Sequence, residues 1–264
     1  MKRRILSVGR NYFLRGVIMN RLLTVFGVLL VATLASFNVF AQSRSELERR
    51  MMVEDSYEAP RGRLFNEQAY LRGETYLNQY TNVIVINKAA SGSQAQTLRL
   101  YTNRQLMLST YVSTGREDLE YISAVRGVVN KIFKGATSSH WRHTTRGFYT
   151  IKRVHGYNYR SGESKFHMPF AMFFNETRGL AVHQVPPDLS GGEAAGEAML
   201  GKRASSGCVR VHKNQIQTIH RAVTAADRGI VPVLDTRTGQ PKYDQNGKVR
   251  YEKGYKTIVI VEEY

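Results

Sequence analysis

Cys208 is the only cysteine in the 264 residues, and it lies in the segment RASSGCVRVH, here called the Cys208 loop (Arg203–His212). A lone cysteine has no disulfide partner in its own chain, so it is buried and inert, bonded to another chain, or reactive. A small buried hydrophobe is the usual outcome. The polar residues and the glycine around Cys208 favour a reactive thiol instead.

Four neighbours of Cys208 have properties that suit a nucleophilic thiol. Gly207 lets backbone amides approach a reacting carbonyl, because no side chain stands in the way. Arg210 can add positive potential, orient the loop, or bind a carboxylate through two hydrogen bonds. Ser205 and Ser206 can fix the turn by local hydrogen bonds. The positive end of a helix predicted directly after the loop lies close by as well.

A nucleophilic thiol also needs a base, and His183 is the best placed of the seven histidines. It ends the apolar run GLAVHQV, so a strand can hold it while the next loop folds back toward Cys208. The alternative is a structural histidine at a strand end, with its hydrogen bonds already satisfied. His212 lies at the entry to the predicted helix and His220 lies inside it, so both are expected to be structural.

The sequence predicts neither a metal nor an organic cofactor. His140 and His143 are three residues apart, but no acidic cluster and no H-E-x-x-H pattern accompanies them. One cysteine cannot form a thiolate cage around a metal. No phosphate-binding P-loop and no dinucleotide fingerprint occurs in the sequence either.

The first 41 residues are typical of an export signal. Basic residues lead into an apolar run from Leu22, and Val39 and Ala41 fit a signal-peptidase site before Gln42. An uncleaved anchor is the alternative, since about 20 apolar residues can span a bilayer. We expect an exported protein of the periplasm or cell envelope, with no membrane contact beyond this segment.

The charge of the chain favours an anionic partner. The formal charge is +17, and loss of the six basic residues within the first 41 lowers it to +11. Such a surface suits nucleic acid, anionic lipid or an acidic cell-wall polymer. Export and the absence of a recognised binding motif make nucleic acid the weakest of the three, and we expect none as a partner.

Residues 82–264 consist mainly of short β-type runs separated by Ser, Gly and Asn clusters. The predicted strands lie in NVIVINK, QTLRLYT, RQLMLSTYV, GFYTIKRVH, MPFAMFF, GLAVHQV, IVPVLD and YKTIVIVEEY. Residues 116–143 are predicted to form a helical insertion. Pro186–Lys202 is predicted to be a flexible loop, and residues 42–81 a linker or loosely packed helices.

One firm helix is predicted after the Cys208 loop. Asn214 and Gln217 have the spacing of a capping box, and Gly229 is expected to end the helix. Its buried face is predicted from apolar residues at helical spacing, namely Ile216, Ile219 and Val223.

These segments together resemble the L,D-transpeptidase catalytic domain, also called YkuD. The family element S-x-G-C-[IV]-R is matched at every fixed position by Ser205, Gly207, Cys208, Val209 and Arg210, with Cys208 25 positions after His183. YVSTG, TTRGFYTI and MPFAMFF are similar to other family segments, and they occur in the same order within Asn82–Leu234.

The sequence departs from the family pattern at several positions. Gln184 stands where the family usually has Gly, Thr145 replaces Pro, Tyr149 replaces Phe, and Ser206 occupies a place often filled by His. The connection over residues 116–143 is longer than usual, which suggests an inserted lid, a partner-binding element or a plain surface insertion.

The resemblance implies a mostly β, L,D-transpeptidase-like β-sandwich with one helix after the Cys208 loop and an inserted helical segment. It predicts four parts: a signal peptide (1–41), a linker or helical extension (42–81), a catalytic domain (82–234) and a C-terminal β extension (235–264).

It also implies that Cys208 attacks a peptidoglycan stem peptide while His183 acts as base. Oxyanion or substrate contacts would come from Gly207, Arg210, Ser205 and Ser206. An amine then accepts the acyl group, and a wall-linked protein is a further candidate acceptor. Hydrolysis by the same site, as in an L,D-carboxypeptidase, and a non-catalytic wall-binding module are the alternatives.

Overall fold

The structure, a computed structural model, describes residues 48–120, 140–162, 166–226 and 228–264. The predicted signal segment and residues 121–139 of the predicted insertion lie outside the described residues. The chain divides into two units, Met1–Met52 and Val53–Tyr264. Within the part that the structure describes, no helix is both long and apolar enough to cross a bilayer.

The described residues contain thirteen strands and few helices. The strands are β1 (Asn82–Asn87), β2 (Thr97–Thr102), β3 (Gln105–Ser113), β4 (Leu119–Glu120), β5 (His140–Trp141), β6 (Gly147–Thr150), β7 (Arg153–Val154), β8 (Met172–Asn175), β9 (Leu180–Gln184), β10 (Val209–Val211), β11 (Arg228–Pro232), β12 (Tyr251–Tyr255) and β13 (Thr257–Glu262). The helices are α1 (residues 48–56), α2 (Glu67–Arg72), a 3-10 turn (Tyr76–Gln79), α3 (Gly192–Glu197) and α4 (Lys213–Ala225). The predicted mostly β fold class is confirmed.

Nine strands form one curled sheet in the order β6-β13-β1-β2-β3-β10-β9-β8-β7. β6 and β7 follow each other in the chain yet occupy opposite edges of the sheet, because GFYTIKRVH bends at Ile151 and Lys152 instead of forming one strand. The Ile151 amide donates to the carbonyl of Thr257 in β13, next to one edge, and the Lys152 amide donates to the carbonyl of Phe173 in β8, next to the other. The two edges of the sheet therefore meet at this corner.

The central strands β1 and β13 are parallel partners and are buried on both faces. This burial explains why both sequences are nearly continuous apolar runs rather than alternating ones. Their alternate residues belong to two separate cores. One core contains Val83 and Ile260 and is covered by residues of the 53–81 segment, and the other contains Ile84 and Val259 and receives the apolar face of α4.

The segment before β1 packs closely against the sheet. Phe65, Tyr70, Leu77 and Tyr80 are buried in the first of the two cores. The compact unit accordingly begins at Val53, although the domain boundaries at residues 82 and 234 stay predictions. The segment is anchored because its aromatic residues fill the space above β1 and β13.

Two local predictions were wrong. The helix after the Cys208 loop begins at Lys213, because the His212 imidazole caps it by accepting from the Asn214 amide. The helix ends at Ala225, and Gly229, which was expected to end it, lies in β11. The predicted loop Pro186–Lys202 contains the short helix α3, in which Gly196 packs closely against Val185. The buried face of α4 is as predicted.

Truncation of Ile260 tests the role of the central strands. Ile260→Ala should lower the free energy of unfolding by about 2–5 kcal/mol, because it leaves a cavity in a fully buried strand. Ile230→Ala is the matched control, since Ile230 is 59% exposed and should change stability by less than about 0.5 kcal/mol. Urea unfolding of both variants makes the comparison, and equal midpoints would contradict the assignment.

Candidate active site around Cys208 and His183

The parallel pairing of β9 with β10 places the two predicted reactive side chains on the same face of the sheet. Arg210 is the register partner of His183, and Cys208 directly precedes β10. Register partners point to the same face of a sheet, and so do residues two apart on one strand. Cys208 packs against Phe173 and Ala181, which share this face. Cys208 and His183 are therefore diagonal neighbours on one face of the sheet.

His183 is buried in β9, and its orientation is fixed by the backbone. Its Nδ1 lies 2.5 Å from the Gln184 carbonyl oxygen, which can only accept a hydrogen bond. Nδ1 therefore bears the proton and Nε2 keeps a lone pair. Burial lowers the pKa of His183, and the positive charge of Arg210 lowers it as well, so that despite this hydrogen bond the pKa is about 4. The ring is a neutral base at neutral pH.

The Cys208 thiol is kept protonated in the resting site. Cys208 is partly buried, and its Sγ lies 3.7 Å from the Gly179 carbonyl oxygen. Burial raises the pKa of the Cys208 thiol, and this effect outweighs a backbone hydrogen bond from Ala181 and the charge of Arg210, which both lower it. The thiol and the imidazole are thus both neutral at rest, rather than a thiolate and an imidazolium.

Ser205 and Gly207 shape the turn that presents Cys208. The Ser205 hydroxyl donates to the Cys208 carbonyl at 2.5 Å and accepts from the Gly207 amide at 3.0 Å. Gly207 has φ +129°, and a Cβ there would lie 2.9 Å from the His143 carbonyl oxygen. Both the backbone conformation and the close contact require glycine at this position.

The same hydrogen bonds decide which backbone amide of the turn is free to hold an oxyanion. The Gly207 N–H is already engaged by Ser205, so the Cys208 N–H is the better candidate donor. Ser206 is exposed at the surface of the turn. Arg210 donates to the Ala204 carbonyl at 3.3 Å, and its charge acts on both Cys208 and His183.

An aromatic wall that the sequence reasoning missed stands beside the thiol. Tyr159 stacks on His155 with ring centroids 3.9 Å apart, and Phe173 meets both rings edge-on. Met168 belongs to the same cluster, against which Cys208 packs. The predicted strand MPFAMFF contains Met168 and Phe173, so part of this cluster could be found from the sequence. Tyr159 lies in a segment without regular structure, and no sequence pattern pointed to it.

A cluster of buried charges lies beneath the turn, formed by Glu58, Lys88, Glu117 and His143 and here called the buried charge cluster. His143 contacts Glu58 through Nε2 and Glu117 through Nδ1, and Lys88 Nζ lies 2.8 Å from Glu117. Burial raises the pKa of Glu117, but hydrogen bonds and charge from His143 and Lys88 prevail and hold it at about 2. Over the described ranges, no group of three or more His, Cys, Asp or Glu side chains could hold a metal ion.

The family described as the L,D-transpeptidase catalytic domain, YkuD, matches residues 81–256. That range is two thirds of the sequence and includes both Cys208 and His183. The chain belongs to the L,D-transpeptidase catalytic domain family. The resemblance inferred from the S-x-G-C-[IV]-R element is thereby confirmed. No curated protein matches the chain.

Solved structures similar to this member of the family share little sequence with it. An L,D-transpeptidase from Xylanimonas cellulosilytica DSM 15894 is 16% identical over 69% of this chain and 60% of that chain, with a TM-score of 0.39. One from Mycobacterium tuberculosis H37Rv is 16% identical over 70% and 58%, with a TM-score of 0.37. The helical cell shape determining protein Pgp2 from Campylobacter jejuni is 15% identical over 75% and 55%, with a TM-score of 0.34. The chain thus spans less than two thirds of each.

The protonation of the resting pair predicts how the thiol reacts with pH. Because the thiol pKa is raised and His183 is neutral, iodoacetamide should alkylate Cys208 slowly at neutral pH and faster only above the usual thiol range, about 8.5. His183→Gln is the control and should leave the pH profile nearly unchanged. Rapid alkylation that persists from neutral pH into acid would show a thiolate–imidazolium pair and contradict the assignment.

The close approach of Gly207 to His143 predicts a second effect. Gly207→Ala should lower stability by about 1–3 kcal/mol more than Gly92→Ala, because a Cβ at 207 meets backbone. Gly92 is a matched control, since it also has positive φ, +113°, but open space around its Cα. Thermal unfolding of both variants measures the difference, and equal losses would show that the clash is relieved without cost.

Proposed function

We propose that the protein is a cysteine L,D-transpeptidase that acts on peptidoglycan stem peptides outside the cytoplasm. The observation that supports this most directly is the arrangement of His183. Its Nδ1–H is held by the Gln184 carbonyl, so Nε2 is left as a base on the same sheet face as Cys208. This is the geometry that a neutral thiol requires to become a nucleophile.

In the first half-reaction, Cys208 Sγ attacks the carbonyl between the third residue of the stem and its terminal D-Ala. His183 Nε2 takes the thiol proton as the S–C bond forms, and the carbonyl oxygen becomes an oxyanion near the Cys208 N–H. The C–N bond then breaks, and the imidazolium gives its proton to the leaving amine. The products are free D-Ala and a thioester on Cys208.

In the second half-reaction, an amine from another stem attacks the thioester. His183 takes a proton from this amine and returns it to the sulfur when the S–C bond breaks. The new amide joins two stems, and the thiol is restored. No oxidant, metal or organic cofactor enters this balance.

The low pKa of His183 suits this cycle. A buried imidazole with a pKa of about 4 is not consumed by protonation at neutral pH, so the base is present in nearly every molecule. Because the pKa of His183 is low, moving the thiol proton onto it costs more than it would with a base of higher pKa. The bound substrate must therefore stabilise the His183 imidazolium, and the oxyanion that forms beside the imidazolium supplies a compensating negative charge.

The basic charge of the chain supports an anionic polymer as substrate. The formal charge of +17, or +11 without residues 1–41, favours accumulation at an acidic cell wall. Export by the first 41 residues would place the enzyme there. Sequencing the N-terminus of the mature protein checks this part, since cleavage as proposed exposes Gln42.

Acylation of Cys208 tests the proposed function. Incubation with a stem tetrapeptide or a carbapenem-type β-lactam should add one acyl group to the wild type, measured by intact mass, and none to Cys208→Ala. Product analysis with purified stem peptides then separates the reactions. Crosslinked dimers indicate transfer, whereas tripeptide alone indicates hydrolysis, and a wild type that is never acylated would leave a non-catalytic wall-binding role.

A further inference from the structure

The Gly207–Cys208 peptide group is held from below by Thr144. The Thr144 hydroxyl donates to the Gly207 carbonyl oxygen at 2.6 Å. A trans peptide is planar, and its C=O and N–H point in opposite directions. A hydrogen bond that fixes the Gly207 carbonyl therefore also fixes the direction of the Cys208 N–H.

Thr144 is itself held at two other atoms. Its Oγ1 accepts from the Gly115 amide at 2.8 Å, and its carbonyl oxygen accepts from Lys88 Nζ at 2.7 Å. While Oγ1 accepts from the Gly115 amide, its proton is available to the Gly207 carbonyl oxygen, so one hydroxyl links both backbone groups. Consecutive hydrogen bonds of this kind also polarise one another.

The buried charge cluster gives this arrangement a rigid base. The Lys88 side chain is fully buried, as is that of His143, whose ring stacks on Trp141 at 3.5 Å. Two carboxylates, Glu58 and Glu117, face the His143 ring. Buried charges remain in place only while their partners do, so the cluster resists displacement of residues 143 and 144.

The cluster reaches the Cys208 loop without touching the thiol. The His143 carbonyl lies directly under Gly207, where an added Cβ would come within 2.9 Å of it. Arg203, which begins the loop, donates to the Lys88 carbonyl at 2.9 Å. The loop is thus linked to two members of the buried charge cluster, Lys88 and His143.

We propose that Thr144 is a positioning residue that aims the Cys208 N–H at the oxyanion, and that Lys88 and His143 hold Thr144 in place. This inference rests on the proposed function, because an oxyanion forms only if Cys208 is acylated. Thr144 touches neither the substrate nor the sulfur. It acts through the peptide group between Gly207 and Cys208.

Two reactions of the same thiol distinguish positioning from general structural support. Acylation passes through a tetrahedral oxyanion and needs the aimed amide. Alkylation by iodoacetamide displaces iodide from a CH₂ carbon and forms no oxyanion. A variant that disturbs only the amide slows the first reaction, whereas a variant that disturbs the whole site slows both.

The experiment compares Thr144→Val with Thr145→Val in the full chain. Val has nearly the shape of Thr but lacks the hydroxyl. Thr145 is buried and adjacent, and its hydroxyl accepts from Asn175 rather than bonding to the Cys208 loop. Loss of one oxyanion donor costs about 10²–10³ in rate, so loss of its aim should cost about tenfold or more in the acylation rate constant.

We expect Thr144→Val to slow acylation by a carbapenem-type β-lactam at saturating concentration, with the half-saturating concentration changed less than threefold. Alkylation should stay within about twofold of the wild type. Thr145→Val should leave acylation near the wild-type rate, and Thr144→Ser, which restores the hydroxyl, should recover most of it. Equal slowing of acylation and alkylation, or no slowing of either, overturns the inference.

The two proposals fail in distinguishable ways. If the wild type is alkylated but never acylated, the proposed function fails and the inference fails with it. If the wild type and Thr144→Val are acylated equally fast, only the inference fails. Should Thr144→Val not fold, Glu58→Gln replaces it, since it weakens the contact to His143 from a distance. Its acylation should then slow while alkylation does not, and any other pattern counts against the inference.

Discussion

The parallel pairing of β9 with β10 is the constraint on which the site depends. Its register places Arg210 beside His183 and leaves Cys208 just before the strand, on the same face. A slip of one residue would turn either Cys208 or His183, the two proposed reactive residues, to the opposite face. β10 has only three residues, so its position depends on β3 along its other edge and on the Ser205 turn before it.

Burial has opposite consequences around Cys208 and His183 and in the buried charge cluster beneath them. Around the thiol and the imidazole it disfavours charge, so both groups rest neutral. Beneath them it is compensated by pairing, because Lys88 and His143 are each matched to carboxylates from distant segments. Cys208 and His183 are thus uncharged at rest, whereas the buried charge cluster is held in place by the pairing of its charges.

The sequence predicted those features that depend on local patterns. Strands were found where apolar runs lie between turns, and Cys208 was found because it is unique and sits in a specific motif. The cap of α4 was missed because an imidazole, His212, replaces the usual short side chain. Lys88 follows an apolar strand and looks exposed, and its burial depends on Glu117, which is 29 residues away in sequence.

The position of β13 beside β1 has a consequence for how the chain folds. Asn82 and Thr257, which begin the two strands, are 175 residues apart in sequence, so a very long loop must close before the central pair can form. Non-local parallel pairings of this kind form slowly. Until β13 arrives, β1 presents an apolar and incompletely hydrogen-bonded edge, which makes the folding intermediate more prone to aggregation than the finished protein.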